Sequence, residues 1–389
     1  MPNESISEFC KKLKKKIKFH NYLHKPYLDN KDFYYIKKTL KKGEVSTYGK
    51  NTEIFEKKLS KYLGVPYVVS TVNGTTSLHA ILSHLNLGID DEILVQSLTF
   101  VGTVNPILYV GASPHFVESC PKTLAADPLK LEYYLKSDCF IKKGKNLFNK
   151  KTNKKIKALI ITHIYGYPAD IVKLKKIAKK FNLTLIEDAA ETIGTSFKNK
   201  KIGTFGDFSF LSFNGNKTIT TGAGGAIICK KKFDYKRIKH AITTSKIKKS
   251  IVPDHDSMGF NYRMPSLNAS LGLSQLKKLN KILKAKLKVF EIYVSISKNF
   301  SEYFNVYFSN NPKKENNHWM VIIVCKNKII RNNFLKITKK YEIVTKPIWK
   351  PMHKLKYLSH FPKMKLKIVN TLADHVICLP SSPHSKINQ

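Results

Sequence analysis

The sequence predicts an α/β protein with a large domain built on a mainly parallel, seven-stranded sheet and a smaller α+β domain at the C-terminus. Two observations carry this prediction. Seven apolar runs of strand length alternate with helix-like segments in the first 250 residues. Continuous Val/Ile/Leu strands of this kind belong to parallel sheets covered by helices on both faces. After residue 250 the order changes to one long helix followed by shorter apolar runs.

The seven runs follow one another along the chain, and amphipathic helical patterns separate most of them. They are YVVSTV (67–72), EILVQSLTF (92–100), PHFVES (114–119), ALIITHIYG (158–166), LTLIEDAAE (183–191), DFSFLSF (207–213) and GGAIICK (224–230). The last two runs leave no room for a helix between them, which predicts a local antiparallel or mixed part of the sheet. The polar stretch 137–157 predicts a surface hairpin or loop.

The domain boundaries follow from the same patterns. We interpret residues 1–25, which include KKLKKKIK, as a basic extension, residues 26–250 as the large domain and residues 251–389 as the small domain. Within the small domain, residues 261–300 predict a long helix after a start marked by proline. The runs HWMVIIVC and YEIVTKPIW predict strands, and a basic tail ending in VICLPSSP follows them.

Length and composition exclude several classes of protein. The 389 residues, of which 42% are hydrophobic, are sufficient for a complete globular core. No apolar stretch approaches the roughly 20 residues of a membrane span, and the N-terminus lacks the apolar segment of a secretory signal. The six cysteines show no paired spacing, which favours reduced thiols. The sequence therefore predicts a cytoplasmic protein, and we assign it no metal site.

The formal net charge of +42 has two interpretations. One is a nucleic-acid or anionic-membrane partner. The other is a lysine-rich surface that reflects genome composition, and the even spread of the lysines and the scarcity of arginine favour it. No basic stripe interleaved with aromatic residues is present, so no nucleic-acid partner is expected. An anionic substrate would still approach faster in this field.

Residues of chemical interest follow the predicted strands, at the carboxyl ends where α/β sheets bind ligands. After the first strand, residues 73–77 (Asn-Gly-Thr-Thr-Ser) open a helix whose free N–H groups favour a phosphate. An ordinary helix N-cap explains the same residues equally well. Asp188 ends another strand, where a carboxylate is either a helix cap or the partner of a buried cation. One such cation is the protonated ring nitrogen of pyridoxal phosphate (PLP).

The segment SFNGNKTITTGAGG (212–225) is the most informative part of the chain. Its lysine, Lys217, follows the turn residues 214–216 and precedes three glycines, which we interpret as leaving space around the side chain. A partly desolvated lysine is a good nucleophile for a Schiff base with an aldehyde cofactor. The Ser212 hydroxyl is placed to bind the phosphate of the same cofactor.

Four motifs in this order, NGTTSL, EDAAE, SFNGNKTITTGAGG and MGFNYRMP, resemble the DegT-type aminotransferases of nucleotide-linked sugars over residues 24–383. The resemblance implies PLP-dependent transferase fold type I, PLP as cofactor, glutamate as amino donor and a homodimer with shared active sites. The stretches GKNTEIFEKKL, LTFVGTVNPI and THIYGYPADI are most similar to members that aminate C4 of a UDP-linked 4-keto-6-deoxy-2-acetamido sugar. Those members serve legionaminic-acid or related bacterial surface-glycan pathways.

The resemblance also implies roles for individual residues. Lys217 would hold PLP covalently and move a proton, and Asp188 would pair with the pyridinium nitrogen. Further cofactor-binding residues would be Gly74, Thr75, Thr76, Phe100, Glu191, Ser212 and, from the neighbouring subunit, Asn261. Substrate-binding residues would be Ser46, Thr47, Tyr48, His163 and Arg263. For His163, a packed or helix-capping role is an equal alternative.

Two other functions are compatible with the fold. Relatives that act as sugar 3-dehydratases carry histidine where the aminotransferases carry the lysine, so Lys217 argues against dehydration. A regulatory or binding protein without turnover is the second alternative. Against it stands the intact set of Lys217, Asp188 and Ser212, because an idle site has no reason to keep a costly buried aspartate.

Overall fold

The structure is a computed structural model that describes residues 2–142, 145–247, 251–307 and 316–383. Its helices are α1 (Pro2–Lys16), α2 (Asn30–Lys41), α3 (Asn51–Leu63), α4 (Gly74–His84), α5 (Val101–Tyr109), α6 (Pro128–Ser137), α7 (Ile171–Lys180), α8 (Lys232–Ala241), α9 (Ser266–Ser297), α10 (Lys328–Lys340) and α11 (Lys367–His375). In the described parts of the chain, no helix has both the length and the hydropathy that a membrane span requires.

The strands form one large sheet, one smaller sheet and a short two-stranded ribbon. They are β1 (Tyr67–Thr71), β2 (Asp91–Gln96), β3 (Ser113–Val117), β4 (Cys139–Lys142), β5 (Asn146–Asn149), β6 (Lys155–Thr162), β7 (Thr184–Asp188), β8 (Ser196–Phe197), β9 (Lys200–Lys201), β10 (Phe208–Ser212), β11 (Gly225–Cys229), β12 (Phe304–Val306), β13 (Val321–Cys325), β14 (Lys346–Pro347) and β15 (Val376–Leu379).

The seven predicted apolar runs all form strands of the large sheet, in the order β1-β11-β10-β7-β6-β2-β3. Neighbouring strands from β10 to β3 are parallel. The strand β11 runs antiparallel to both of its neighbours, β1 and β10, which confirms the predicted antiparallel part. Because the parallel strands end at one edge, Thr162 at the end of β6 lies beside Asp188 at the end of β7.

The polar stretch 137–157 contains the predicted hairpin, and that hairpin belongs to the large sheet. Strands β4 and β5 pair with each other, and β5 pairs with the start of β6. The sheet therefore has nine strands rather than seven. The sequence did not indicate these two strands because they are only four residues long, and Cys139, Leu147 and Asn149 are their buried residues.

The smaller sheet has the order β12-β13-β15-β14 and carries a second hydrophobic core. The helix α1 contributes to this core through Ile6, Phe9 and Leu13, which recur at helical spacing among the lysines. The Phe9 ring lies 5.0 Å from Phe304 and 5.7 Å from Phe334. The interpretation of residues 1–25 as a separate basic extension is therefore wrong for α1, which is part of the C-terminal core.

In the C-terminal half, one predicted element is confirmed and the interpretation of another segment is wrong. The helix α9 begins directly after Pro265, as the sequence predicts. The run VICL, interpreted as part of a basic tail, instead forms β15, a fully buried strand between β13 and β14. The boundary near residue 250 stays a prediction, because the first hydrophobic core crosses it and includes Ile282, Trp319 and Cys378.

Candidate active site

Asp188 is buried and is the last residue of β7, at the carboxyl edge of the large sheet. Its Oδ2 accepts hydrogen bonds from the Thr103 hydroxyl at 2.6 Å and the Thr162 hydroxyl at 3.2 Å. Its Oδ1 accepts the Ala190 N–H at 3.1 Å. Burial raises the pKa of Asp188, while these donors and the nearby Lys217 oppose the rise. A cationic partner in the cavity would stabilise the carboxylate further.

Lys217 lies on a turn between β10 and β11, where its own N–H donates to the Asn214 carbonyl at 2.9 Å. Its side chain is 13% exposed, and Nζ donates to Glu191 Oε1 at 3.1 Å. Nζ also lies 4.1 Å from the centre of the Trp319 ring. The predicted tight turn is thus confirmed, and the amine lies between a carboxylate and an aromatic face.

Glu191 connects the lysine to the loop after β6. Its Oε2 accepts the Tyr165 N–H at 2.8 Å, while Oε1 accepts from Lys217. Burial raises the pKa of Glu191 to about 7, and the charge of Lys217 opposes this rise. A carboxyl group that changes its protonation near neutral pH therefore contacts the lysine amine.

The sequence left two interpretations of the start of α4 open, a helix N-cap and a ligand-binding site. The structure shows a cap that also lines the cavity. Asn73 caps the helix, since its Oδ1 accepts the Thr76 N–H at 2.8 Å, and Asn73, Gly74 and Thr75 also line the cavity beside Lys217. Thr76 is not among the lining residues, and its hydroxyl donates to the Asn73 carbonyl at 3.0 Å. A Cβ at Gly225 would lie 2.5 Å from that carbonyl, so this glycine clears space for the helix start rather than for the lysine.

These elements enclose a cavity of about 220 Å³. It brings together seven of the predicted residues, and its walls include Gly74, Thr75, Phe100, Asp188, Glu191, Ser212 and Lys217. The donor set fits PLP: a lysine amine for the aldehyde, a buried carboxylate for the ring nitrogen, and a helix N-terminus with a serine hydroxyl for the phosphate. Phe100, which is half exposed, lies at the wall where the ring face would be covered.

The remaining predicted residues lie elsewhere in this chain. Thr47, Tyr48, Asn261 and Arg263 line a second cavity of about 780 Å³, which shares no lining residue with the first. Its other walls are strongly basic and include Lys236, Lys239, His240 and Lys246. Ser46 lies beside these residues in the chain, and its carbonyl accepts the Ser266 N–H at 2.6 Å.

His163 is fully buried and lines neither cavity. Its Nε2 lies 3.1 Å from Glu187 Oε2, and its Nδ1 accepts the Ala169 N–H at 3.0 Å. Both ring nitrogens are therefore used inside the protein. The expected substrate contact of His163 is wrong, and the alternative of a packed histidine is what the structure shows.

Sequence reasoning missed the two tryptophans of the chain, Trp319 and Trp349, both of which line the Lys217 cavity. The Trp349 ring lies 6.0 Å from Phe100 and 4.5 Å from Tyr165. Both tryptophans lie in or beside runs of the C-terminal half that the sequence analysis interpreted only as strands. Their rarity was the one signal available, since a tryptophan buries a large apolar surface and also carries a polar N–H.

The fold and the lysine site define the class as PLP-dependent aminotransferase. Residues 26–389 match the DegT/DnrJ/EryC1/StrS aminotransferase family, and the chain belongs to this family. The resemblance noted from the four motifs is thereby confirmed at the level of the family, its cofactor and its enzymatic class.

Individual relatives match between about three quarters and nine tenths of the chain. It is 32% identical over 361 residues to GDP-perosamine synthase from Escherichia coli O157:H7, covering 93% of each chain. It is 31% identical over 301 residues to UDP-4-amino-4,6-dideoxy-N-acetyl-beta-L-altrosamine transaminase from Campylobacter jejuni, covering 76% of this chain and 74% of the relative. The structure of Helicobacter pylori PseC, an aminotransferase of pseudoaminic acid biosynthesis, superposes with a TM-score of 0.83 at 24% identity, over 93% of this chain and 94% of PseC.

Proposed function

We propose that the protein transfers an amino group from glutamate to C4 of a 4-keto-6-deoxy sugar linked to a nucleoside diphosphate. The first candidate substrate is a UDP-4-keto-6-deoxy-2-acetamido-hexose, and the product would enter bacterial surface-glycan or nonulosonic acid synthesis in the cytoplasm. The observation that carries the proposal is the Lys217 amine, enclosed between Glu191 and Trp319 in the cavity that also holds Asp188.

Bound PLP supplies an aldehyde that condenses with amines and a pyridinium ring that withdraws electrons from the substrate carbon. Asp188 would keep the ring nitrogen protonated, because its negative charge stabilises a neighbouring cation, and Thr103, Thr162 and the Ala190 N–H hold its carboxylate in position. Because these three donors fix the carboxylate, it would not have to reorganise when a protonated ring nitrogen binds beside it.

Lys217 would be the group that moves a proton to and from the substrate carbon, because its Nζ lies at the wall of the cavity that would hold PLP. The same Nζ donates a hydrogen bond to Glu191 Oε1 at 3.1 Å. Because the pKa of Glu191 is raised to about 7, the carboxyl can accept or release a proton near neutral pH.

A GDP-linked keto sugar is the second candidate substrate. Two GDP-perosamine synthases, from Escherichia coli O157:H7 and Vibrio cholerae, are each 32% identical to this chain over 93% of its length. The transaminase relative that acts on a UDP-linked sugar matches a shorter part of the chain, 76%. The relatives therefore differ in the base of the nucleotide, and the substrate panel has to include sugars linked to different bases.

We further propose a homodimer whose active sites are shared. Asn261, Arg263, Thr47 and Tyr48 line the second, basic cavity and lie apart from Lys217 in the same chain. If a partner subunit places this cavity over its neighbour's Lys217 cavity, these residues reach the phosphate groups of cofactor and substrate. The five basic side chains of the second cavity suit such anionic groups.

The two alternatives predict different chemistry. A sugar dehydratase would carry histidine at position 217, and this chain carries lysine with its amine directed into the cavity. A binding protein without turnover would not need Asp188, whose burial is unfavourable without a cationic partner. Both observations support transamination.

The test is product analysis with purified protein, PLP, glutamate and a panel of UDP-, GDP-, dTDP- and CMP-linked 4-keto-6-deoxy sugars. Mass spectrometry is expected to show exchange of the keto oxygen for an amino group in one member of the panel, with 2-oxoglutarate formed in equal amount. Lys217→Ala is the matched negative control. Loss of water from the sugar instead of amination would establish the dehydratase, and no reaction with any member despite bound PLP would favour the binding protein.

A further inference from the structure

A second lysine, Lys286 on α9, is enclosed in the protein interior with only 1% of its side chain exposed. Its Nζ donates to two backbone carbonyls, that of Ser381 at 2.6 Å and that of Trp319 at 3.2 Å. No carboxylate in the described parts of the chain forms an ion pair with this amine, and burial lowers the pKa of Lys286 well below its usual value. In the part of the chain that the structure describes, these two carbonyls are the hydrogen-bond acceptors that hold the amine in place.

Trp319 connects this amine to the active site. Its indole N–H donates to the Asn216 carbonyl at 2.7 Å, and its ring centre lies 4.1 Å from Lys217 Nζ. Asn216 directly precedes Lys217 on the turn between β10 and β11. A single side chain therefore holds the turn that carries the lysine and covers the lysine amine.

Asn317 holds the same segment from its other side. Its amide nitrogen donates to the Glu191 carbonyl at 2.7 Å, the Ile193 carbonyl at 3.0 Å and the Thr218 hydroxyl at 3.2 Å. Its Oδ1 accepts the backbone N–H of Trp319 at 2.8 Å. Lys286 joins this network through its hydrogen bond to the Trp319 carbonyl.

We propose that Lys286 is a positioning residue for the Lys217 amine and acts through Trp319. The inference rests on Lys217 as the site of covalent PLP attachment and is independent of which sugar is aminated. Removing the Lys286 amine frees the Trp319 carbonyl, and the indole then holds Asn216 less firmly. The Lys217 amine spends less time in the geometry from which it attacks the aldehyde, because attack requires close alignment of the reacting atoms.

The experiment measures how fast Lys217 captures PLP in protein freed of cofactor. The amine and the PLP aldehyde form a C=N bond with loss of water, borohydride reduces that bond to a stable secondary amine, and mass spectrometry counts the adduct. Rates at increasing PLP concentration separate the limiting capture rate from the apparent Kd. The phosphate is held by the start of α4 and Ser212, which Lys286 does not contact, so the two quantities report on different contacts.

Lys286→Met removes both hydrogen bonds and keeps an unbranched side chain of similar length. We expect the limiting capture rate to fall about tenfold and the apparent Kd to change less than about twofold. Lys284→Met is the matched control, because Lys284 is the same residue type on the same helix and is exposed. It is expected to behave as the wild type.

Trp319→Phe tests the contact between Trp319 and the turn that carries Lys217. The variant keeps an aromatic ring and loses the indole N–H that binds the Asn216 carbonyl. We expect a loss of capture rate of similar size, about tenfold, and a Lys286→Met/Trp319→Phe double variant no slower than the slower single variant, because both residues act along one route. Multiplied losses in the double variant would contradict that route.

Three results would overturn the proposal. One is a Lys286→Met protein with a lower Tm but a wild-type capture rate, which shows a structural role alone. Another is a wild-type capture rate in Trp319→Phe. This result would show that the indole N–H does not position Lys217, and it can be obtained even if Lys286→Met does not fold. The third is a wild-type protein that captures no PLP, and this result would refute the assignment of Lys217 as well.

Discussion

Asp188 and Glu191 are three residues apart and both buried, yet their surroundings give them different roles. Asp188 accepts three hydrogen bonds from neutral donors, which oppose the rise in its pKa that burial causes. Glu191 accepts hydrogen bonds from the Lys217 amine and from the Tyr165 N–H. The number and charge of the surrounding donors, rather than the residue type, separate the two carboxyl groups.

Asp188→Asn is expected to lower kcat by at least about 10²-fold, because an amide does not keep the ring nitrogen protonated. The Thr103 and Thr162 hydroxyls still have an acceptor in the amide oxygen, so the fold is expected to survive. Turnover measured beside circular dichroism and Tm tests both statements. Near-normal kcat in a folded variant would refute the role of Asp188.

Glu191→Gln tests the raised pKa of Glu191 through stability. The folded protein keeps this proton up to about pH 7, whereas the unfolded chain loses it near pH 4.5. Stability is therefore expected to fall as the pH rises through this window. In cofactor-free protein, the drop in Tm between pH 5 and pH 7 should be roughly 3 °C larger in the wild type than in Glu191→Gln. Parallel Tm curves for the two proteins would place the pKa of Glu191 near its ordinary value.

Among the elements, α4 gives the clearest separable prediction about cofactor binding. Its cap, Asn73, both stabilises the helix and lines the cavity. Asn73→Ala is expected to cost about 1 kcal/mol of unfolding free energy, the usual effect of losing an N-cap. It should also raise the Kd for PLP, because the N–H groups at the helix start lose their fixed direction.

Asn327 provides the matched control for Asn73. It caps α10 through the Ile330 N–H at 2.9 Å and lines neither cavity described above. Asn327→Ala is expected to cost a similar free energy, about 1 kcal/mol, and to leave the Kd for PLP unchanged. Urea unfolding and PLP titration of both variants check the pair. Equal PLP affinities in the two variants would show that the α4 cap has no part in cofactor binding.

At the scale of the whole molecule, the separation of the two cavities leads to a complementation experiment. Lys217→Ala and the double variant Asn261→Ala/Arg263→Ala are each expected to have little activity as homodimers. Mixed dimers would contain one intact site, formed by Lys217 of one subunit and by Asn261 and Arg263 of the other. Mixed dimers separated from both homodimers should have about one half of the wild-type activity, since one of their two sites is intact.

The complementation is read from turnover of co-expressed, doubly tagged protein purified through both tags. Each homodimer, purified alone, is the control for residual activity. If the mixed protein is as inactive as its parents, then Asn261 and Arg263 do not act on the neighbouring subunit. A fully active monomer at low concentration would have the same consequence.

The sequence by itself determined the class of the fold, the order of the strands along the chain and the candidate residues of the active site. Strand-length apolar runs report burial between helices directly, and residues at the end of β7 and after β10 lie at the carboxyl edge because these strands are parallel. Asp188 and Lys217 were therefore predictable from local patterns, as was the antiparallel strand β11.

Only the tertiary structure decided which distant segments meet. The apolar residues of α1 are separated by lysines, and their place in the C-terminal core depends on Phe304 and Phe334, about 300 residues away. Trp319, which lies just before β13, contacts Lys217, and Lys286 on α9 binds the Trp319 carbonyl. A periodic pattern such as that of α1 shows which face of an element is buried, but it does not show which distant element packs against that face.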